Sequence, residues 1–255
     1  MDFIISARTD VGLRKHTNQD SYAVRVYNTR LGKIAFAVLC DGMGGLAKGE
    51  IASASLVHAF CEWADERLPF LCEEGLTDQK IREEWVEIAL DFNEKIKQYG
   101  MKYGVSMGTT VTAMLITEKR YYIINVGDTR AYAIGEQITV LTKDQTLVAR
   151  EVELGNLTPE QAERDARRSI LLQCIGASEN VYPDLFFGDT KENMVYMLCS
   201  DGFRHTITSE EIFQYMNPKV MEQESVMGQN MEYLIGQNKQ RQERDNITVL
   251  AIRTR

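Results

Sequence analysis

The sequence is short of histidine, of paired cysteine, of basic excess and of long apolar runs, and each shortage excludes something. Three histidines in 255 residues, His16, His58 and His205, are too scattered for a zinc site. Five cysteines, an odd number with no C-x-x-C pair, argue against a disulfide framework and for reduced thiols in a cytoplasmic protein. Acidic residues outnumber basic ones by 37 to 29, and the net charge of -8 disfavours nucleic acid or an anionic membrane as partner. No apolar run approaches the ~20 residues needed to cross a bilayer, so no membrane insertion is expected. The opening residues, MDFIISARTD, have neither a charged n-region nor an apolar h-region, so no signal peptide is read there. Without an internal repeat or low-complexity linker, one domain over 1–255 is expected.

What the sequence does hold is the stretch 34–45, IAFAVLCDGMGG, an unbroken apolar run that stops abruptly at Asp41 and its glycines. The pattern predicts a strand buried on both faces, which carries a carboxylate to the lip of the core. Glycines beyond it let a ligand approach the main chain closely. An Asp-Gly pair alone is an ordinary turn. Gly42, Gly44 and Ala47 also meet the G-x-G-x-x-G/A spacing of dinucleotide folds. Asp41 argues against that reading, because its carboxylate would face the pyrophosphate.

Flanking strands are expected at 3–7 and 22–27, the second with Tyr22, Val24 and Val26 on one face. The polar loop between them is basic at Arg14 and Lys15 and ends on Asp20. Ala52, Leu56, Ala59, Phe60 and Trp63 keep a helical rhythm up to Pro69 and Gly75, and Ile81, Trp85, Ile88, Phe92, Ile96 and Tyr99 repeat it. Cys61 and Arg67 match the C-x5-R spacing of cysteine-dependent phosphatases, but on an amphipathic helix with Glu62, Asp65 and Glu66 between them. Gly104, Ser106 and Gly108 spell G-x-S-x-G, yet run from helix to strand, the reverse of a nucleophile elbow.

From Thr109 the period changes to two, and antiparallel strands are expected at 109–116, 121–126, 130–134 and 137–141. Thr142 with Gln145, and Thr158-Pro159 with Gln161, read as capping boxes that start short helices over 143–154 and 159–165. The charged segment 149–176 is expected to form a flap subdomain beside the site. Strands at 181–187 and 194–199 are expected to pair, followed by a helix capped by Thr208, another over 221–239 and a last strand at 247–252.

Five aspartates share one grammar: Asp20, Asp41, Asp128, Asp201 and Asp245 each lie where an apolar strand starts or ends. Carboxylates gathered there would repel one another, and hard divalent cations, Mg2+ or Mn2+, are the natural counter-charge.

These residues carry a family resemblance. DVGLRKHTNQD (10–20), DGMGG (41–45), MGTTV (107–111), VGDTRAY (126–132), LTKDQTLV (141–148), CSDGF (199–203) and RDNITVL (244–250), in this order, resemble the metal-dependent Ser/Thr protein phosphatases of type 2C, the PPM family, in compact bacterial form. The resemblance implies an α+β fold, a central antiparallel β-sandwich flanked by helix pairs in α-β-β-α layers. It implies hydrolysis of phosphoserine and phosphothreonine in proteins by a water activated between cations, with no protein nucleophile. By motif match, Asp41 would bridge two metals, the Gly42 carbonyl would bind one, Asp201 and Asp245 would complete the pair, and Asp20 would act through water. Asp128 with Asp201 would hold a third cation. A cognate Ser/Thr kinase is the implied partner, and a monomer is expected.

The chain also departs from the family pattern. Lys15 stands where an arginine usually clamps the phosphate, with Arg14 just before it, and a lysine cannot make the bidentate fork. Met43 replaces the histidine of eukaryotic members, Gln19 a common glutamate, Gln145 a common histidine and His205 a common aspartate. The rival reading is a catalytically inactive phosphoprotein-binding domain on the same fold, and Lys15 is its only support.

Overall fold

The computed structural model describes residues 1–44 and 48–255; Gly45 and Ala47 of the glycine-rich stretch lie outside the described residues. Strands β1 (Phe3–Asp10), β2 (Asp20–Thr29) and β3 (Gly32–Gly44) precede helices α1 (Gly49–Glu74) and α2 (Asp78–Tyr103). Then come β4 (Met107–Thr109), β5 (Val111–Ile116), β6 (Arg120–Val126), β7 (Arg130–Ile134) and β8 (Ile138–Val140). Helices α3 (Leu147–Glu153) and α4 (Pro159–Arg164) lead to β9 (Asp184–Asp189) and β10 (Val195–Cys199). The chain ends with α5 (Asp201–Arg204), α6 (Ser209–Met216), α7 (Glu224–Gln240) and β11 (Ile247–Thr254).

Alternation along β3 explains the layers. Ile34, Phe36, Val38 and Cys40 point to one side, into a core shared with Leu56, Phe60 and Trp63 of α1 and Trp85 of α2. Ala35, Ala37 and Leu39 point to the other, against Met114 and Ile123 of their own sheet and Leu198, Leu250 and Ile252 of the opposite one. A third core joins Met197, Val249 and Ala251 to Met227, Met231 and Leu234 of α7. Helices therefore cover both outer faces of two antiparallel sheets, ordered β1-β11-β10-β7-β8 and β2-β3-β5-β6-β9, with β4 paired to β3. A one-residue slip of β3 would exchange its two apolar faces, so burial on both sides still leaves register to its partners. The observed register sets Asp20 opposite Asp41.

Three expectations change. Helix α1 runs through Pro69 to Glu74, because Leu68, Leu71 and Cys72 around the proline are buried and offset the missing hydrogen bond. Thr142 and Gln145 cap nothing. Thr142 Oγ1 accepts from the Ala131 N–H at 3.0 Å and Gln145 Oε1 from the Gly127 N–H at 2.7 Å, so α3 starts later, under Thr146. Strands β9 and β10 do not pair: β9 lies on β6 in one sheet, and β10 between β7 and β11 in the other. The capping boxes at Thr158 and Thr208 form as read.

Candidate active site

Five strand ends meet at one edge of the sandwich. Asp41 closes the buried part of β3, with its N–H donated to Thr110 Oγ1 at 2.9 Å and its carbonyl accepting from the Thr110 N–H at 2.9 Å. A Cβ on Gly42 would fall 2.3 Å from the Gly49 carbonyl oxygen and 2.6 Å from that of Gln19, so only glycine fits where α1 meets the strand. Asp201 opens α5 two residues after the end of β10, and Asp245 lies two residues before the start of β11. Asp128 sits in the turn between β6 and β7.

The electrostatics around Asp20 and Asp41 are those of carboxylates with no ion pair among the described residues. Burial pushes the Asp41 carboxyl well above its ordinary range, and Asp20, Asp201, Asp128 and Asp245 push it further. Asp20 is pushed up to about 7 by burial, with Asp201 and Asp245 adding to it, although Thr248 Oγ1 donates to its Oδ2 at 2.6 Å. Asp128 is likewise pushed up to about 7 by burial and by Asp201, against the pull of Arg204. Asp20 Oδ1 and Asp201 Oδ1 are buried and have no hydrogen-bond partner. Orphaned buried oxygens of this kind are costly unless something else meets them. A hard cation fits, since Mg2+ takes one or two carboxylates and completes its shell with water. Among the described residues no group of three or more acidic, histidine or cysteine side chains is placed to hold a metal ion by itself.

Several residues outside the expected metal and phosphate set build the frame. Asn246 Oδ1 accepts from the Gln19 N–H at 2.9 Å while its amide donates to the Val11 and Thr17 carbonyls, so one side chain pins the 10–20 loop beside Asp245. Gln145 braces the Gly127 turn through its side chain and its own N–H. His205 lies between Asp201 Oδ2, 3.3 Å from Nε2, and Glu243 Oε2, 3.5 Å from Nδ1. Burial opposes charging of that imidazole, but Glu243 and Asp201 outweigh it and raise its pKa. Lys15 Nζ reaches Asp245 Oδ1 at 3.0 Å; Arg14 is exposed and makes no ion pair among the described residues. The decoys separate from the site: Arg67 pairs with Glu84 at 2.7 Å, and Cys61 is buried on α1.

Buried carboxylates converging at one edge of a β-sandwich make a candidate site for hard divalent cations. A family model described as protein phosphatase 2C matches residues 13–232. Protein phosphatase PhpP of Streptococcus pneumoniae is 34% identical over 212 residues, 82% of either chain. Serine/threonine protein phosphatase PstP of Mycobacterium tuberculosis is 33% identical over 220 residues, 85% of this chain and 40% of PstP. Among solved structures, the Streptococcus agalactiae serine/threonine phosphatase superposes with a TM-score of 0.85 at 30% identity, covering 100% of both chains. The catalytic domain of PstP, solved in complex with two manganese ions, gives 0.77 at 27% identity over 98% of this chain and 97% of that one. The chain belongs to the protein phosphatase 2C family.

Proposed function

We propose that the chain removes phosphate from phosphoserine and phosphothreonine in proteins, using two Mg2+ or Mn2+ ions held by Asp41, the Gly42 carbonyl, Asp201 and Asp245, with Asp20 acting through water. The observation that carries this reading is the pair of orphaned carboxylate oxygens, on Asp20 and Asp201, in a cluster where burial and neighbouring carboxylates push the Asp20 and Asp41 carboxyls upward. When bound, such cations supply Lewis acidity toward phosphoryl oxygens and acidify a water. The residues around them do the rest. Thr110 fixes the backbone at Asp41 from both sides. Asn246 holds the loop that carries Lys15 and Arg14, the two cations that would meet an incoming phosphate. Burial pushes the Cys199 thiol, two residues before Asp201, up to about 12, and the Cys40 thiol, next to Asp41, well above its usual value. Neither is a nucleophile at neutral pH, which supports attack by water.

The chain is read as one catalytic domain, in which 149–176 forms a flap, acting as a monomer and opposing a Ser/Thr kinase. Among the described residues no helix is long and apolar enough to cross a membrane. The test is hydrolysis of a phosphothreonine peptide by the purified chain with Mn2+, with Mg2+ and with EDTA. Turnover with either metal and none with EDTA is expected; folded protein that turns over with neither metal supports the inactive binding-domain reading instead.

A further inference from the structure

The resemblance assigns a third cation to Asp128 and Asp201, and the surroundings of Asp128 are occupied differently. Arg204, on α5 just past Asp201, places Nη2 at 3.5 Å from Asp128 Oδ2 and donates to the Asp128 carbonyl at 3.0 Å. The same nitrogen lies 3.1 Å from Asp144 Oδ2, and Asp144 is itself gripped by Arg130 through Nε and Nη2, both at 2.8 Å. Side chains of Arg204, Asp128 and Asp144 are 13%, 7% and 12% exposed, so water screens little of this network. A guanidinium keeps its proton at any working pH. All three contacts are made by Nη2, while Nε is buried without a partner.

We propose that Arg204 is a tethered cation that takes the place of the third metal ion at Asp128, so that the chain works with two metals. Mg2+ binds carboxylate oxygens at ~2.1 Å. An ion at that distance from Asp128 Oδ2 would stand against a guanidinium held 3.5 Å from the same oxygen, like charge on like charge in a buried setting. Two arginines, Arg130 and Arg204, already balance two aspartates, Asp128 and Asp144. The inference rests on the proposed two-cation site at Asp41, Asp201 and Asp245, and extends it to what holds Asp128.

The test is a count of bound Mn2+ on the metal-free full chain, by calorimetric titration and by loss of the free Mn2+ signal in electron paramagnetic resonance. Two equivalents are expected for the unmodified chain, and still two for Asp128→Asn, with affinities within about threefold. Arg204→Met, checked for native circular dichroism, is expected to gain a third, weaker equivalent. Three equivalents on the unmodified chain overturn the inference, as does a folded Arg204→Met that still binds two. Should Arg204→Met fail to fold, a third equivalent on the unmodified chain that Asp128→Asn removes is the overturning result, and two on both supports the inference. Failure of the underlying reading looks different: no tight Mn2+ binds to the unmodified chain, or Asp41→Asn leaves its two equivalents intact.

Discussion

Around Asp128 and Asp144 each buried carboxylate faces a buried guanidinium, whereas around Asp20 and Asp41 no ion pair forms among the described residues. Both regions are burials of acid at the same sheet edge, and they differ in what answers the charge. In the first the chain supplies its own cations, so the network is frame. In the second it supplies Thr248 and Thr110 contacts but no cation, so the charge is left for something that arrives. Asp201 and Asp245 stand between these extremes, partnered by His205 and by the half-exposed Lys15.

Substitutions on the two sides should break in opposite ways. Asp41→Asn on the unanswered side is expected to lower kcat by about three orders of magnitude or more, as the proposed role of Asp41 in holding both cations requires. Its metal-free melting temperature should hold or rise, because a repelled charge is removed. Asp144→Asn on the balanced side is expected to do the reverse. Leaving Arg130 and Arg204 without their shared carboxylate should cost about 3–5 kcal/mol of stability in denaturant melts. The folded fraction should keep most of its turnover. The smallest effect is expected at Lys15, whose ion pair with Asp245 is 42% and 37% exposed. Lys15→Ala should change stability by ~1 kcal/mol or less, while raising KM for a phosphopeptide more than it lowers kcat, which steady-state kinetics will separate.

Much of the unanswered side was legible in the sequence, because each aspartate sits where an apolar run breaks beside a turn residue, and breaks of that kind are local. The balanced side was not. Arg204 meets Asp128 across 76 residues and Asp144 meets Arg130 across 14, through packing that no periodicity records. The missed pairing of β9 and β10 has the same origin: alternation marks a strand but not its sheet, and these two neighbours in sequence lie in opposite sheets. Thr142 and Gln145 show the converse, a local capping signal overridden by tertiary hydrogen bonds to Ala131 and Gly127.

The stored repulsion itself can be measured, as the melting temperature from pH 4 to pH 8 with EDTA and with Mn2+. Asp20 is pushed up to about 7 from an ordinary 3.8, and Asp41 is pushed well above the same value, so the Asp20 contribution is present in full below about 4 and is lost as pH rises through 7. The metal-free chain should therefore melt progressively lower as pH rises from about 4 to about 7 and level off above. Mn2+ should raise the melting temperature most at pH 8, where its ligands are ionised. A metal-free profile that rises towards pH 7, or a melting temperature indifferent to Mn2+ at pH 8, would contradict the claim that the carboxylates around Asp20 and Asp41 await a cation.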